Sequence, residues 1–399
     1  MPPQLDFPRK RPLSYPVMTR PTSFVIGVAL AVGLLAWGCG SKSSSDAAVV
    51  KIVATGNVHG EIEPCGCRVP LGGLARKATF IHTLRDSKIP YLVVDGGDLF
   101  FSKAQLDGDD LATEKIRART LVEGFNRIGT DAVAIGEKDL AAGLSFLQSL
   151  AEAAQFPLLS ANLTDEQGQL LFTPYTIVQK GELRIGLVGA SSAIPAGDGY
   201  RSQPLLPALK KVVKELQSRT DLLVLLFHGQ DVDKQQIMAS GLPIHLMLQS
   251  HVTRYERNFG RGSIPTASFG SQGKYLNVIT ASIKVPGEPL VDLSVHQRTL
   301  DFVASSMKRL RRNQPKDVLL EELYADQPRA LERISELRER EAHARQVIES
   351  AVNTLETETI SLGPAVKFDE ELLSIVTLAK QAMVQVPGSP GVEADPASL

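Results

Sequence analysis

Six short segments carry side chains able to bind a ligand or move a proton. They are Asn57 with His59, Asp98, Glu137 to Asp139, His228 and His251, and the Cys65-Gly66-Cys67 pair. Apart from the cysteine pair, each directly follows a short apolar run. A lone histidine in such a place is usually a hydrogen-bonded loop residue, and Gly96-Gly97-Asp98 alone is a turn. The series carries weight because its members share one topological position and take in three of the seven histidines. Cys65 and Cys67 have three readings: a soft-metal thiolate pair, a redox pair, or inert thiols bridged to each other. Lys138 either presents a cation to an anionic ligand or pairs with Glu137 and Asp139 on a solvated turn.

The elements that position these residues can be read from periodicity. Apolar runs at 49–54, 91–94, 132–135, 157–160, 185–188, 222–227 and 244–248 are predicted strands. Between them, residues 74–85, 114–128, 143–154 and 206–219 are predicted helices. Buried strands alternating with helices give a layered α/β domain. Ligand sites in such domains gather at the carboxyl ends of the strands, which is where the candidates stand.

In order and spacing these blocks resemble the metallophosphoesterase (calcineurin-like) superfamily, specifically the amino-terminal domain of the 5′-nucleotidases. The blocks are IVATGNVHGEIEPCGCRVPLGGLARKATFIHTLR, YLVVDGGDLF, DAVAIGEKDL, FPLLSANL, RIGLVGASS, LLVLLFHG, IHLMLQSHVTR and SFGSQGKY, within residues 49–298. The resemblance implies a four-layer α/β/β/α sandwich and a pair of divalent ions clamping a phosphoryl group in an in-line displacement. His59, Asp98, His228 and His251 match family ligands, with Asp98 at the bridging position. Four positions depart. Asn57 stands for an Asp, Glu137 for a metal-binding Asn, Lys138 for a His that steadies the transition state, and Thr253 for the last His.

These departures point to one divalent ion per chain (Zn, Mn or Fe) on Asp98, Glu137, His228 and His251. His59 and Asn57 then orient the water or a second ion, and Lys138 stabilises the phosphoryl oxygens. The expected function is hydrolysis of a phosphorylated small molecule. One alternative is a non-catalytic metal-binding scaffold lipoprotein of the cell envelope. Another is a thiol-dependent redox or metal-handling protein using Cys65 and Cys67.

The ends of the chain read differently. Residues 24–37 form an apolar run after Arg20, closed by Gly38-Cys39. It falls short of the ~20 residues of a membrane span, and reads as a signal sequence over 1–38, with Met18 as an alternative start. Leu35-Ala36-Trp37-Gly38-Cys39 resembles a lipobox, which makes Cys39 the lipidation site and 39–48 a flexible tether. An ordinary signal peptide or uncleaved anchor is the alternative. The expected location is the bacterial envelope, lipid-anchored and facing the periplasm or the outer surface.

The metallophosphoesterase-like domain is expected over 49–300, a helical extension over 301–386 and a disordered tail over 387–399. In the extension, Ile334, Leu337, Glu341, Ala344, Ile348, Ala351 and Leu355 form a heptad seam, predicting a helix from Pro328 to about Glu358. That helix, within 326–360, is a candidate docking element for an envelope protein. A last helix is expected over 369–384, capped by Asp369. The extension stands where full-length 5′-nucleotidases carry a base-stacking domain, so nucleotide specificity stays open. A net charge of −1 over 399 residues argues against a nucleic-acid polymer as partner, and 43% hydrophobic content excludes disorder and multi-span architecture.

Overall fold

The apolar runs become strands whose alternate side chains face different layers. A computed structural model describes residues 47–106, 108, 110–253, 264–315 and 317–387. The signal segment, Cys39, most of the tether and the 388–399 tail lie outside the described residues. The first half runs β1 (Ala48–Thr55), α1 (Leu74–Arg85), β2 (Tyr91–Asp95), α2 (Leu111–Ile128), β3 (Ala132–Ala134), a 3-10 turn (Lys138–Leu140), α3 (Leu144–Ala153), β4 (Leu158–Leu159), β5 (Leu163–Thr164) and β6 (Tyr175–Lys180). Then come β7 (Leu183–Ser191), β8 (Arg201–Ser202), α4 (Leu205–Leu216), β9 (Leu222–His228), α5 (Asp231–Ala239), β10 (Leu246–Ser250), β11 (Thr266–Ser268), β12 (Tyr275–Ile283) and β13 (Leu290–Asp292). The chain continues through α6 (Leu293–Leu310), α7 (Leu320–Leu323), α8 (Pro328–Ser350), β14 (Asn353–Ser361) and α9 (Glu370–Val384).

Two sheets carry the domain. One has the order β13-β14-β12-β1-β2-β3-β4, the other β11-β10-β9-β7-β6. β1 to β4 run parallel, and β12 joins β1 antiparallel with Val53 opposite Val278. Val53, Val93 and Val133 face α1, α2, α3 and α9. Their neighbours Ile52, Ala54, Leu92 and Val94 face the second sheet, meeting Ile185, Leu187, Val224, Leu226 and Leu248. On its far side the second sheet buries Val188, Leu223, Leu225 and Phe227 under Leu209, Val213 and Leu216 of α4 and Ile237 of α5. Three apolar seams separate four layers, α/β/β/α, as the resemblance implied.

The last third is woven into this body. α8 packs on α6, and α9 on α1 and α2. Ile334, Leu337 and Ala344 of the heptad seam are buried. The helix stops at Ser350, however, and residues 353–361 are β14, paired antiparallel with β12 and parallel with β13. The reason is a period of two: Asn353 and Leu355 point inward while Glu356 is exposed. The Asn353 amide also ties the strand down, donating to the carbonyls of Val285 (2.7 Å) and Glu288 (2.9 Å). Asp369 caps α9 as expected, accepting from the Leu372 N–H at 3.0 Å.

Candidate metal centre

The loops at the carboxyl ends of β1, β2, β3, β9 and β10 converge. Backbone hydrogen bonds of 2.9 Å lace two of them together, from the N–H groups of Asn57, His59 and Gly60 to the carbonyls of Gly97, Asp98 and Leu99. Six described non-glycine residues have positive φ. Four are candidates named above: Asn57 (53°), His59 (59°), Asp98 (54°) and His251 (74°). A left-handed backbone at such residues costs about 1–3 kcal/mol each and persists where the surroundings over-determine it, typically at functional sites. Gly136 permits the close approach of two loops. A Cβ there would lie 2.4 Å from Asp98 Oδ1 and 2.9 Å from His228 Cε1.

Asp98, His228 and His251 each offer a ligand atom, all within 4.8 Å of one another. The tautomer of His228 follows from its neighbours. Ser250 Oγ has one proton, which it donates to the Gly96 carbonyl. It therefore accepts from His228 Nδ1–H at 2.8 Å, leaving a lone pair on Nε2. That buried Nε2 has no hydrogen-bond partner among the described residues and lies 3.5 Å from Asp98 Oδ1. Burial pushes the imidazole down to about 4, against the pull of Asp98, so it is neutral near pH 7. Burial would raise the Asp98 carboxyl, but the neighbouring His59 ring, the His228 ring, and the Lys138 N–H and ammonium hold it at about 2. Two electron-pair donors face each other across a cation-sized gap. One carboxylate with two imidazoles is a set that suits Zn, Mn or Fe and leaves positions open for water and substrate.

Lys138 grips Asp98 twice. Its backbone N–H donates to Oδ1 at 2.9 Å, and its Nζ lies 3.5 Å from Oδ2. The same Nζ donates to His59 Nε2 at 3.0 Å, and that ring nitrogen is 3.8 Å from Asp98 Oδ2. Asp98 thus stands between the two sides of the site, with His228 on one oxygen and His59 and Lys138 on the other.

No family model matches the chain. The 5′-nucleotidase of the snake Gloydius brevicauda is 31% identical over 169 residues, covering 38% of this chain and 27% of its own length. The structure of a 5′-nucleotidase precursor from Thermus thermophilus superposes with a TM-score of 0.56 at 15% identity, covering 84% of this chain and 60% of that one. The calcineurin-like phosphoesterase YfkN from Bacillus subtilis does so with 0.55 at 16% identity, covering 84% and 98%. The domain has the fold of these two phosphoesterase structures. The sequence match spans about a quarter of the snake relative's length.

Against that family pattern, several candidates take other places. Asn57 is fully buried and clips the backbone. Its amide donates to the carbonyls of Val252 (3.2 Å) and Gly270 (3.1 Å) and accepts from His251 N–H (2.8 Å). An aspartate could not make the two donations, so the amide positions His251. Glu137 falls outside the Asp98, His228, His251 cluster. It opens the 3-10 turn, and its charge raises the Tyr200 phenol, an effect second to burial. Thr253 is exposed. Cys65 and Cys67 are disulfide-bonded to each other, and neither belongs to the cluster.

Three supports escaped the sequence reading. Asp139, read there as a pairing partner for Lys138, accepts backbone N–H groups from Asp98 (3.0 Å), Phe100 (2.9 Å) and Gly136 (2.8 Å) and so holds both loops. Burial, then the Asp98 charge, push its carboxyl up. Ser250 orients His228. Beneath them, Lys77 Nζ donates to Thr55 Oγ1 (2.8 Å), and Thr55 donates to Asp95 (2.6 Å), which accepts from Gly97 N–H (3.0 Å). In the sequence, the only visible trace of this network was polar residues placed at strand ends.

Proposed function

We propose that the chain is an exported, lipid-anchored phosphoester hydrolase using a single divalent ion held by Asp98, His228 and His251. The observation that carries this reading is the buried, unpartnered Nε2 of neutral His228 facing Asp98. When bound, such an ion supplies Lewis acidity to phosphoryl oxygens and acidifies a water nucleophile. The Lys138 ammonium offers donors to the phosphoryl oxygens as charge develops, and His59 and Asn57 hold the ammonium and the His251 loop in place. The relatives' names make a nucleoside monophosphate the first substrate class to test. Export and attachment at Cys39 rest on the apolar run and the lipobox-like residues before it.

The test is turnover of p-nitrophenyl phosphate and AMP by purified protein supplied with Mn, Zn or Co, alongside elemental analysis. Turnover that disappears in Asp98→Asn and His228→Ala supports the proposal. No bound metal and no turnover across the panel refutes it. The scaffold alternative has less support, because Ile334, Leu337 and Ala344 of α8 are buried within the chain itself.

A further inference from the structure

The Lys138 ammonium sits between His59 and Asp98, two residues that match family ligands. Its Nζ is 3.0 Å from His59 Nε2 and 3.5 Å from Asp98 Oδ2. Those two acceptors are 3.8 Å apart. Two ligands on one ion with bonds of ~2.1 Å lie about 3–3.5 Å apart, so the pair is spaced like ion ligands opened by a few tenths of an ångström. The lysine is not a loosely waving surface group. Its side chain is 26% exposed, and its backbone N–H is tied to the other oxygen of the same carboxylate. The donated hydrogen bond occupies the His59 Nε2 lone pair, so that imidazole nitrogen cannot ligate an ion while Lys138 is in place.

Charge points the same way. At the position the resemblance gives to an aspartate, Asn57 is neutral and committed to the backbone. A carboxylate with a dication contributes one net positive charge to a site. A neutral amide with an ammonium contributes the same. Two departures that look like separate losses are one exchange.

We infer that the Lys138 ammonium is the second cation of this centre, a covalently supplied replacement for a divalent ion, with His59 and Asp98 Oδ2 as its receptors. The inference rests on the hydrolase reading for the other ion, the one on Asp98, His228 and His251. Lys138 then confines the protein to a single ion while keeping a positive charge on each side of the bridging carboxylate.

Calorimetric titration of Mn²⁺ into chelator-treated full-length protein, checked by elemental analysis, tests it without recourse to activity. Wild type takes one ion, Lys138→Arg takes one, and Lys138→Met takes a second, weaker ion at His59 and Asp98. Asn57→Asp/Lys138→Met, which restores the carboxylate, takes the second ion more tightly than Lys138→Met. Circular dichroism establishes that each variant is folded, and Lys138→Met carries the test if the double variant is not. One ion in both wild type and Lys138→Met overturns the inference and leaves the hydrolase reading standing. Two ions in wild type do the same. No ion in wild type overturns both.

Discussion

Replacing Asn57 by Asp is the most informative single change, because it restores the residue type that the family resemblance places there and should nevertheless damage the metal-free protein. Asn and Asp tolerate the left-handed backbone at φ 53° similarly, so the change isolates the amide. The contact from His251 N–H to the side-chain oxygen at 2.8 Å survives. The donations to Val252 and Gly270 do not, and two such bonds are worth about 1–3 kcal/mol together. The carboxylate oxygen then faces two carbonyl oxygens in a fully buried place, adding roughly 1–3 kcal/mol of uncompensated burial. We expect a loss of about 3 kcal/mol, read as a lower urea midpoint at unchanged slope in the presence of EDTA. A loss below ~1 kcal/mol in EDTA would show that the amide is not a backbone clip and that the reasoning fails.

Three further expectations concern other parts of the molecule. Gly136→Ala would force a methyl group to 2.4 Å from Asp98 Oδ1; divalent-ion affinity should fall at least tenfold by titration, and unchanged affinity would show the loops can part freely. Cys65→Ser/Cys67→Ser should leave metal stoichiometry unaltered, because neither residue belongs to the Asp98 cluster; elemental analysis decides it. His245 is buried with its Nδ1 accepting from Leu223 N–H at 2.9 Å, and burial sets its pKa below the ordinary 6.5. The unfolded chain therefore takes up this proton first as pH falls, and stability is lost on going below ~6.5. Urea midpoints at neutral and mildly acidic pH should differ more for wild type than for His245→Gln, and equal differences would exclude this contribution.

The strands that build the site were legible because their apolar runs are short, bounded and followed by polar residues. His228 and His251 could be named for that reason. The roles of Asn57 and Lys138 were not, because each depends on where a side chain points across long loops. Asn57 meets carbonyls 195 and 213 residues away, and Lys138 meets a ring 79 residues away. Glu137 lies outside the Asp98, His228 and His251 cluster, and alignment to a block supplies a position along the chain and no rotamer. β14 was read as helix because Ala351 and Leu355 continue a seven-residue spacing, while the same stretch also alternates in and out. Its pairing with β12 selected the second pattern, a tertiary effect that local periodicity cannot weigh.

That late strand has a consequence for how the molecule comes into being. β14 completes the large sheet by lying between β12 and β13, yet it is synthesised after every loop of the metal centre. Until residues 353–361 emerge, β12 presents a bare edge, the kind of surface on which unfinished chains stick to one another. A version ending near residue 300 would retain every proposed ligand and keep that edge permanently open.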